Sequence, residues 1–161
     1  MIRSVLMVCM GNICRSPTAE AVLRHKLREA GLHELVTVDS AGTHAHWHAD
    51  EAPDARSVAH AARRGYDLSA LRARQVVDAD FDQFDLILAM DWDNLALLED
   101  RCPVGSRAKL GRLTEHCRRH DSPIVPDPYQ GPKAGFEAVL DLVEDACDGL
   151  VFLLQRQSHA G

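Results

Sequence analysis

Two cysteines, Cys9 and Cys14, stand close together in the segment VLMVCMGNICRSPTAE near the start of the chain. Cys9 ends an apolar run, and Arg15 follows Cys14 directly, so the spacing Cys-x5-Arg combines a nucleophile with a cation. The two thiols could form a metal clip or a disulfide, or Cys9 could be a nucleophile beside a bystander. A purely structural turn is the fourth interpretation, because a free cysteine is most often a small core residue.

The residues between Cys9 and Arg15 can form a concave anion-binding loop. Gly11 and Asn12 are the residue types that most readily take positive φ, so backbone N–H groups of the loop can point inward. A helix that follows the loop adds its positive end, and Arg15 adds a planar fork that can grip two phosphate oxygens. The same field favours a thiolate at Cys9, to which Ser16 could donate a hydrogen bond. The segment therefore predicts a nucleophile beneath a bound oxyanion.

Metal binding and a stable disulfide explain these cysteines less well. A zinc site needs four ligands, and Cys-x4-Cys has no second pair at zinc spacing. The chain has 5 cysteines, which is an odd number, and they are widely scattered along the sequence. The sequence also shows no export signal. This is typical of reduced thiols, so a Cys9–Cys14 disulfide would be a transient oxidised form. The histidines His44, His46 and His48 could bind a metal opportunistically, but nothing nearby completes a site, and we expect no metal or cofactor.

Length and composition predict one ordinary globular domain over residues 1–161. Hydrophobic residues make up 46% of the chain and charged residues 26%, which is typical of proteins that bury a core of this size. The formal net charge of -6 gives no general attraction for nucleic acid or an anionic membrane. Apolar runs are too short to span a bilayer, and no signal-peptide cleavage site follows residues 1–10. We expect a cytoplasmic protein without nucleic-acid binding or membrane insertion.

Alternating strands and helices must position the Cys9 loop. Residues 2–8 form an apolar run typical of a buried strand, and Ser16 with Pro17 can begin a helix that ends at Gly31. Further strands are predicted at 36–40, 85–90 and, weakly, 109–113; helices follow the second and third, and residues 136–154 carry one apolar helical face. The pattern predicts an α/β sandwich around a mostly parallel sheet. Ligands of such sheets bind beyond the carboxyl ends of the strands, where Cys9 lies.

The segment VCMGNICRSPTAE closely resembles the signature of the low-molecular-weight protein tyrosine phosphatases, and DSAGT, APDAR, ARQV, LILAMD and DPY continue the likeness in order. The loop DSAGTHAHW resembles the bacterial type. This resemblance implies a three-layer sandwich with a central four-stranded parallel sheet flanked by helices. It also implies metal-independent hydrolysis of phosphotyrosine proteins through a phosphocysteine, with a bacterial tyrosine kinase as one candidate partner. The implied phosphate-binding residues are Met10, Gly11, Asn12, Ile13, Cys14, Arg15 and Ser16.

The resemblance also assigns the acid and the walls of the site. From spacing alone Asp127 in VPDPYQG is a turn aspartate, but the general acid of the family is the aspartate of an Asp-Pro-Tyr loop. Asp91 competes with it, although MDWDN places Asp91 where a helix cap is expected, in a supporting role. Tyr129 and Trp47 resemble the aromatic walls of the family's cleft. For Trp47, a plug in the core is an equally good interpretation.

The chain departs from the family pattern at the residue before RARQ. The family usually has a histidine before RARQ that helps to hold the loop asparagine, whereas this chain has Leu71, so Asn12 must be supported in another way.

Three rival functions also have to be considered. Arsenate reductases that share the loop need further cysteines near the third strand, and residues 75–95 contain none. Arginine phosphatases resemble this chain with threonine in place of Ile13, and Ile13 with Tyr129 favours phosphotyrosine. A phosphate-binding module without catalysis would need neither Cys9 nor an acid.

Overall fold

The computed structural model describes residues 1–160, which are built around a parallel sheet of four strands in the order β2-β1-β3-β4. The strands are β1 (Ser4–Cys9), β2 (Thr37–Gly42), β3 (Leu86–Ala89) and β4 (Leu110–Arg112). The central strand β1 pairs with β2 on one side and with β3 on the other. Its run of apolar residues is buried because both faces of the sheet are covered.

Five helices cover the two faces of the sheet. They are α1 (Arg15–Glu29), α2 (Ala55–Arg63), α3 (Asp80–Gln83), α4 (Trp92–Arg101) and α5 (Ala134–Ala160). Val5 and Met7 of β1 point into a core shared with α1, α2 and α5, whereas Leu6 and Val8 point into a core shared with α3 and α4. This alternation of period two produces three layers. The predicted three-layer sandwich with a four-stranded parallel sheet is confirmed.

The start of α1 differs from the sequence prediction. Ser16 was expected to cap the helix, but α1 begins at Arg15, with Cys14 at the N-cap position and no side-chain cap. The prediction was wrong because the Ser16 hydroxyl bonds to Asn12 and lies against Cys9 instead of capping the helix. Pro17 is still tolerated, since the N–H groups of a first helical turn have no partner within the helix.

Gly149 was expected to weaken the middle of the C-terminal helix, yet α5 runs without a break from Ala134 to Ala160. A Cβ atom on Gly149 would overlap the carbonyl oxygen of His116. Gly149 therefore lets α5 approach the 3-10 turn Leu113–His116 closely, and packing rather than flexibility accounts for the glycine. No helix within residues 1–160 has both the length and the apolar character that crossing a membrane requires.

Candidate active site

A cleft of about 350 Å³ opens at the carboxyl end of the sheet. It brings together residues that are far apart in sequence, and its lining consists of Cys9, Met10, Gly11, Ile13, Cys14, Arg15, His44, His46, Trp47, His48, Asp127 and Tyr129. A larger cavity of about 520 Å³ lies at the opposite side of the fold, between the chain termini and Leu35. The lining of that second cavity contains no cysteine, so of these two cavities only the cleft contains a candidate thiol nucleophile.

Cys9 lies at the floor of the cleft, where β1 ends and the loop begins. Cys9 is buried, with 2% of the residue exposed. The Ser16 hydroxyl lies 3.0 Å from the Cys9 sulfur, and the Ser16 backbone N–H donates to the same sulfur at 3.5 Å. Ser16 is the second residue of α1, so the positive end of that helix points at the Cys9 sulfur.

Asn12 holds the loop in a left-handed conformation with φ of 57°. Its side-chain amide donates to the hydroxyls of Ser16 (2.8 Å) and Ser40 (2.9 Å), and its carbonyl oxygen accepts from the Arg74 backbone N–H (2.9 Å). Because Ser16 already accepts from Asn12, its own hydrogen can turn to Cys9 or to the Ala41 carbonyl, which lies 3.5 Å away. Leu71 packs on the apolar core and gives Asn12 no polar contact. The support expected in place of the missing histidine therefore comes from Ser16, Ser40 and Arg74.

A buried carboxylate completes this hydrogen-bond network. The Ser40 hydroxyl donates to Glu20 at 2.6 Å, and Arg24 forms an ion pair with Glu20 at 2.7 Å. Burial raises the pKa of Glu20 above its ordinary value, and the Ser40 and Arg24 contacts oppose that shift. In this network Asn12 donates hydrogen bonds to Ser16 and Ser40, and Ser40 donates one to Glu20.

Arg15 is almost fully buried, with 3% of its side chain exposed. One of its nitrogens donates to Asp91 at 2.6 Å and to the Val125 carbonyl at 3.0 Å, while the other lies 3.8 Å from Asp127. The second carboxylate oxygen of Asp91 accepts from the Asn94 N–H at 2.8 Å and caps α4. The predicted cap is confirmed, and the pairing with Arg15 is a further role of Asp91.

Asp127 stands at the edge of the cleft with 47% of its side chain exposed. One carboxylate oxygen accepts from the Tyr129 backbone N–H at 3.1 Å. The other oxygen faces Arg15 at 3.8 Å. Two prolines, Pro126 and Pro128, flank Asp127 and limit the freedom of the backbone. One oxygen of Asp127 is therefore held by Tyr129, and the other faces the guanidinium of Arg15 in the cleft.

Trp47 and Tyr129 both line the cleft. Trp47 is 79% exposed, so the alternative interpretation of this residue as a core plug is wrong. Its indole meets the His46 ring edge to face, with 5.2 Å between ring centres. Two exposed aromatic rings above an anion-binding loop can contact a planar phosphorylated ring by stacking.

The three histidines also line the cleft, which is a more specific position than the exposed loop expected for them. His48 bonds to Glu51 at 2.8 Å and packs over Gly11, where a Cβ would come within 3.3 Å of its ring. His44 lies 3.1 Å from the Thr43 hydroxyl. Within residues 1–160, no three His, Cys, Asp or Glu side chains are grouped so that they could hold a metal ion.

Cys14 differs from Cys9 in its surroundings. Burial raises the pKa of Cys14 to about 12, with a hydrogen bond to Ser57 acting in the opposite direction. Its thiol is therefore neutral near pH 7. All cysteines of the described residues are free.

Several groups that organise the site were not predicted from the sequence. Ser40 and Arg74 hold Asn12, and the Val125 carbonyl holds Arg15. Ser40 belongs to the segment DSAGT and Arg74 to ARQV, so motif membership was the available signal. For Val125 only its place just before the Asp127 loop could have indicated a role.

Comparisons with known proteins agree with this geometry. The family model described as low molecular weight phosphotyrosine protein phosphatase matches residues 4–160. A low molecular weight protein-tyrosine-phosphatase of Streptomyces coelicolor is 42% identical over 159 residues, which cover 95% of this chain and 94% of the relative. The crystal structure of a protein tyrosine phosphatase from Entamoeba histolytica with Hepes in the active site matches with a TM-score of 0.93 at 40% identity, covering 97% of this chain and 99% of that one. YfkJ from Bacillus subtilis matches with a TM-score of 0.90 at 36% identity, covering 98% and 97%. The chain therefore belongs to the low molecular weight phosphotyrosine protein phosphatase family.

Proposed function

We propose that this member of the family hydrolyses phosphotyrosine in proteins through a phosphocysteine, with Cys9 as nucleophile and Asp127 as general acid and base. The observation that carries the proposal is the position of Cys9. Its sulfur lies beneath an anion-binding loop, accepts a hydrogen bond from the Ser16 backbone N–H, lies 3.0 Å from the Ser16 hydroxyl and faces a cleft whose edge carries a half-exposed carboxyl.

In the first step the Cys9 thiolate attacks phosphorus, the bond from phosphorus to the aryl oxygen breaks, and Asp127 gives its proton to the leaving oxygen. The loop from Met10 to Ser16 and the guanidinium of Arg15 bind the three equatorial oxygens. They carry out this role because donors fixed around a developing charge need no reorganisation during the reaction. The products of this step are a phosphocysteine and a free tyrosine hydroxyl.

In the second step water attacks the phosphocysteine. The ionised carboxyl of Asp127 takes a proton from the water, the new P–O bond forms, and the P–S bond breaks with its electrons returning to the Cys9 sulfur. Ser16 stabilises the thiolate that leaves, since its hydroxyl lies 3.0 Å from the sulfur. Inorganic phosphate then leaves the loop. No metal or cofactor takes part in either step.

Trp47 and Tyr129 are proposed to flank the phosphorylated ring, which favours phosphotyrosine over the shorter phosphoserine. Ile13 gives the cleft an apolar wall that suits an aryl group better than a guanidinium. We further propose that residues 1–161 act as one domain in the cytoplasm. A bacterial tyrosine kinase is the partner class that would present such a substrate.

The test compares phosphotyrosine, phosphoarginine and phosphoserine peptides with wild type, Cys9→Ser and Asp127→Ala. We expect phosphotyrosine to be preferred, and Cys9→Ser to lose at least about a thousandfold in kcat. Asp127→Ala should lose activity mainly with poor leaving groups. Full activity of Cys9→Ser would exclude the phosphocysteine, and inhibition by a chelator would contradict the metal-independent mechanism. A preference for phosphoarginine would replace the proposed substrate.

A further inference from the structure

Arg56 contacts the loop that carries Asp127 although it is not part of the cleft lining. It is the second residue of α2, and its guanidinium donates a hydrogen bond of 2.9 Å to the backbone carbonyl of Tyr129. The guanidinium carbon lies 5.5 Å from the ring centre of Tyr129 and 4.7 Å from that of Phe136 at the start of α5. Two aromatic rings and one carbonyl therefore hold this cation at one place.

Asp54 fixes the other side of the same guanidinium. Its two carboxylate oxygens accept from the Arg56 side chain at 3.0 and 2.9 Å, and one of them also accepts from the Arg56 backbone N–H at 2.8 Å. This is the planar two-point pairing that arginine forms with a carboxylate and lysine cannot reproduce. The Asp54 backbone N–H donates in turn to the Ile13 carbonyl at 2.8 Å. Arg56 is thus anchored to the phosphate-binding loop.

The backbone of Tyr129 links Arg56 to Asp127 through two hydrogen bonds. The Tyr129 carbonyl accepts from Arg56, while the Tyr129 N–H donates to one carboxylate oxygen of Asp127 at 3.1 Å. That contact turns the second oxygen of Asp127 toward the cleft. Apart from the 3.8 Å approach of Arg15 to Asp127, the bond from Arg56 is the one hydrogen bond within residues 1–160 that ties the stretch 126–131 to another element of the fold.

We propose that Arg56 is a positioning residue that holds the Asp127 loop at a fixed distance from the phosphate-binding loop. The inference rests on the proposed function, because it requires Asp127 to be the general acid. A general acid must be within hydrogen-bond reach of the leaving oxygen, and a displacement of about 1 Å is enough to lower a rate strongly. Without Arg56, the exposed loop would sample positions from which Asp127 cannot reach that oxygen.

The experiment measures kcat/KM with two aryl phosphates of different leaving-group strength. Phenyl phosphate needs protonation of its leaving oxygen, whereas p-nitrophenyl phosphate needs little. We expect Arg56→Ala to lose about tenfold with phenyl phosphate and less than about twofold with p-nitrophenyl phosphate. The inhibition constant of inorganic phosphate should stay within about twofold, because the phosphate-binding loop is intact.

Arg63→Ala is the matched control. Arg63 lies on the same helix, is exposed, and forms no side-chain hydrogen bond or ion pair with any residue from 1 to 160. This variant should match wild type with both substrates. Arg56→Lys keeps the charge but not the planar fork and should fall between wild type and Arg56→Ala. It also serves as the test if Arg56→Ala does not fold.

The double variant Arg56→Ala/Asp127→Ala separates this inference from the proposed function. If Arg56 acts through Asp127, the double variant should be no slower with phenyl phosphate than Asp127→Ala. Equal losses with both substrates, or losses that multiply in the double variant, would overturn the positioning role of Arg56 alone. An Asp127→Ala variant that hydrolyses phenyl phosphate at the wild-type rate would instead overturn the proposed function.

Discussion

Arg15 and Asp91 are joined by a hydrogen bond of 2.6 Å between a buried guanidinium and a partly buried carboxylate. The two oxygens of Asp91 have different partners: one accepts a hydrogen bond from Arg15, and the other accepts from the Asn94 N–H and so caps α4. One side chain therefore sets both the direction of a helix and the orientation of the cation beneath the cleft.

Substitutions of Asp91 should separate these two roles. Asn can still cap a helix, so Asp91→Asn should lose stability only through the buried Arg15 guanidinium, while kcat falls about tenfold because Arg15 loses its charged partner. KM should change less than kcat, since a bound phosphate still supplies negative charge to Arg15. Asp91→Ala should lose the same activity and about 1 kcal/mol of stability in addition. Denaturant unfolding and steady-state kinetics of both variants check this, and equal stability of the two would argue against the cap.

The sequence predicted those parts of the site that depend on neighbouring residues. The apolar run of β1, the Gly-Asn turn and the helix after it are local features, and they define the Cys9 loop. The pairing of Asp91 with Arg15 is different, because it depends on the side-by-side position of β1 and β3 in the sheet. The short helix α3 was not predicted, since its Asp80 is held by Arg74 rather than by helical periodicity.

Leu71→His restores the residue usual in the family, and we expect no gain in activity from it. The side chain of Asn12 already has partners in Ser16, Ser40 and the Arg74 N–H, so an added imidazole would supply a further contact rather than a missing one. Leu71 packs on the apolar core, so the change should cost about 1 kcal/mol of stability. We expect kcat to stay within about twofold of wild type. A clear rise in kcat would show that Asn12 is incompletely held.

Cys14 should protect Cys9 against irreversible oxidation, but slowly at neutral pH. Attack on an oxidised Cys9 sulfur requires the Cys14 thiolate, and burial raises the pKa of Cys14 to about 12. After inactivation by peroxide, we expect a dithiol to restore wild-type activity, and the disulfide to form faster as pH rises from about 7 to 9 because more thiolate is present. Mass spectrometry of the Cys9 and Cys14 peptides follows the disulfide. A Cys14→Ser variant that recovers as completely as wild type would contradict the protective role.

Asp145 should contribute to stability in a pH-dependent manner. Burial by itself raises the pKa of this carboxyl, but hydrogen bonds from the Arg118 N–H, the His120 side chain and the N–H groups of Arg119 and His120 outweigh burial and hold the pKa well below its usual range. A depressed folded-state pKa stabilises the fold above the unfolded value of about 4, and this contribution fades as pH falls below it. Asp145→Asn should therefore cost about 2 kcal/mol near pH 6, and the difference from wild type should shrink toward pH 3. Asp148→Asn, on the same helix with ion pairs to Lys26 and Arg119, is the control and should change stability by less than about 1 kcal/mol at every pH. A difference between Asp145→Asn and wild type that stays constant from pH 6 to pH 3 would show that the ionised carboxylate is not what anchors the segment 118–120 to α5.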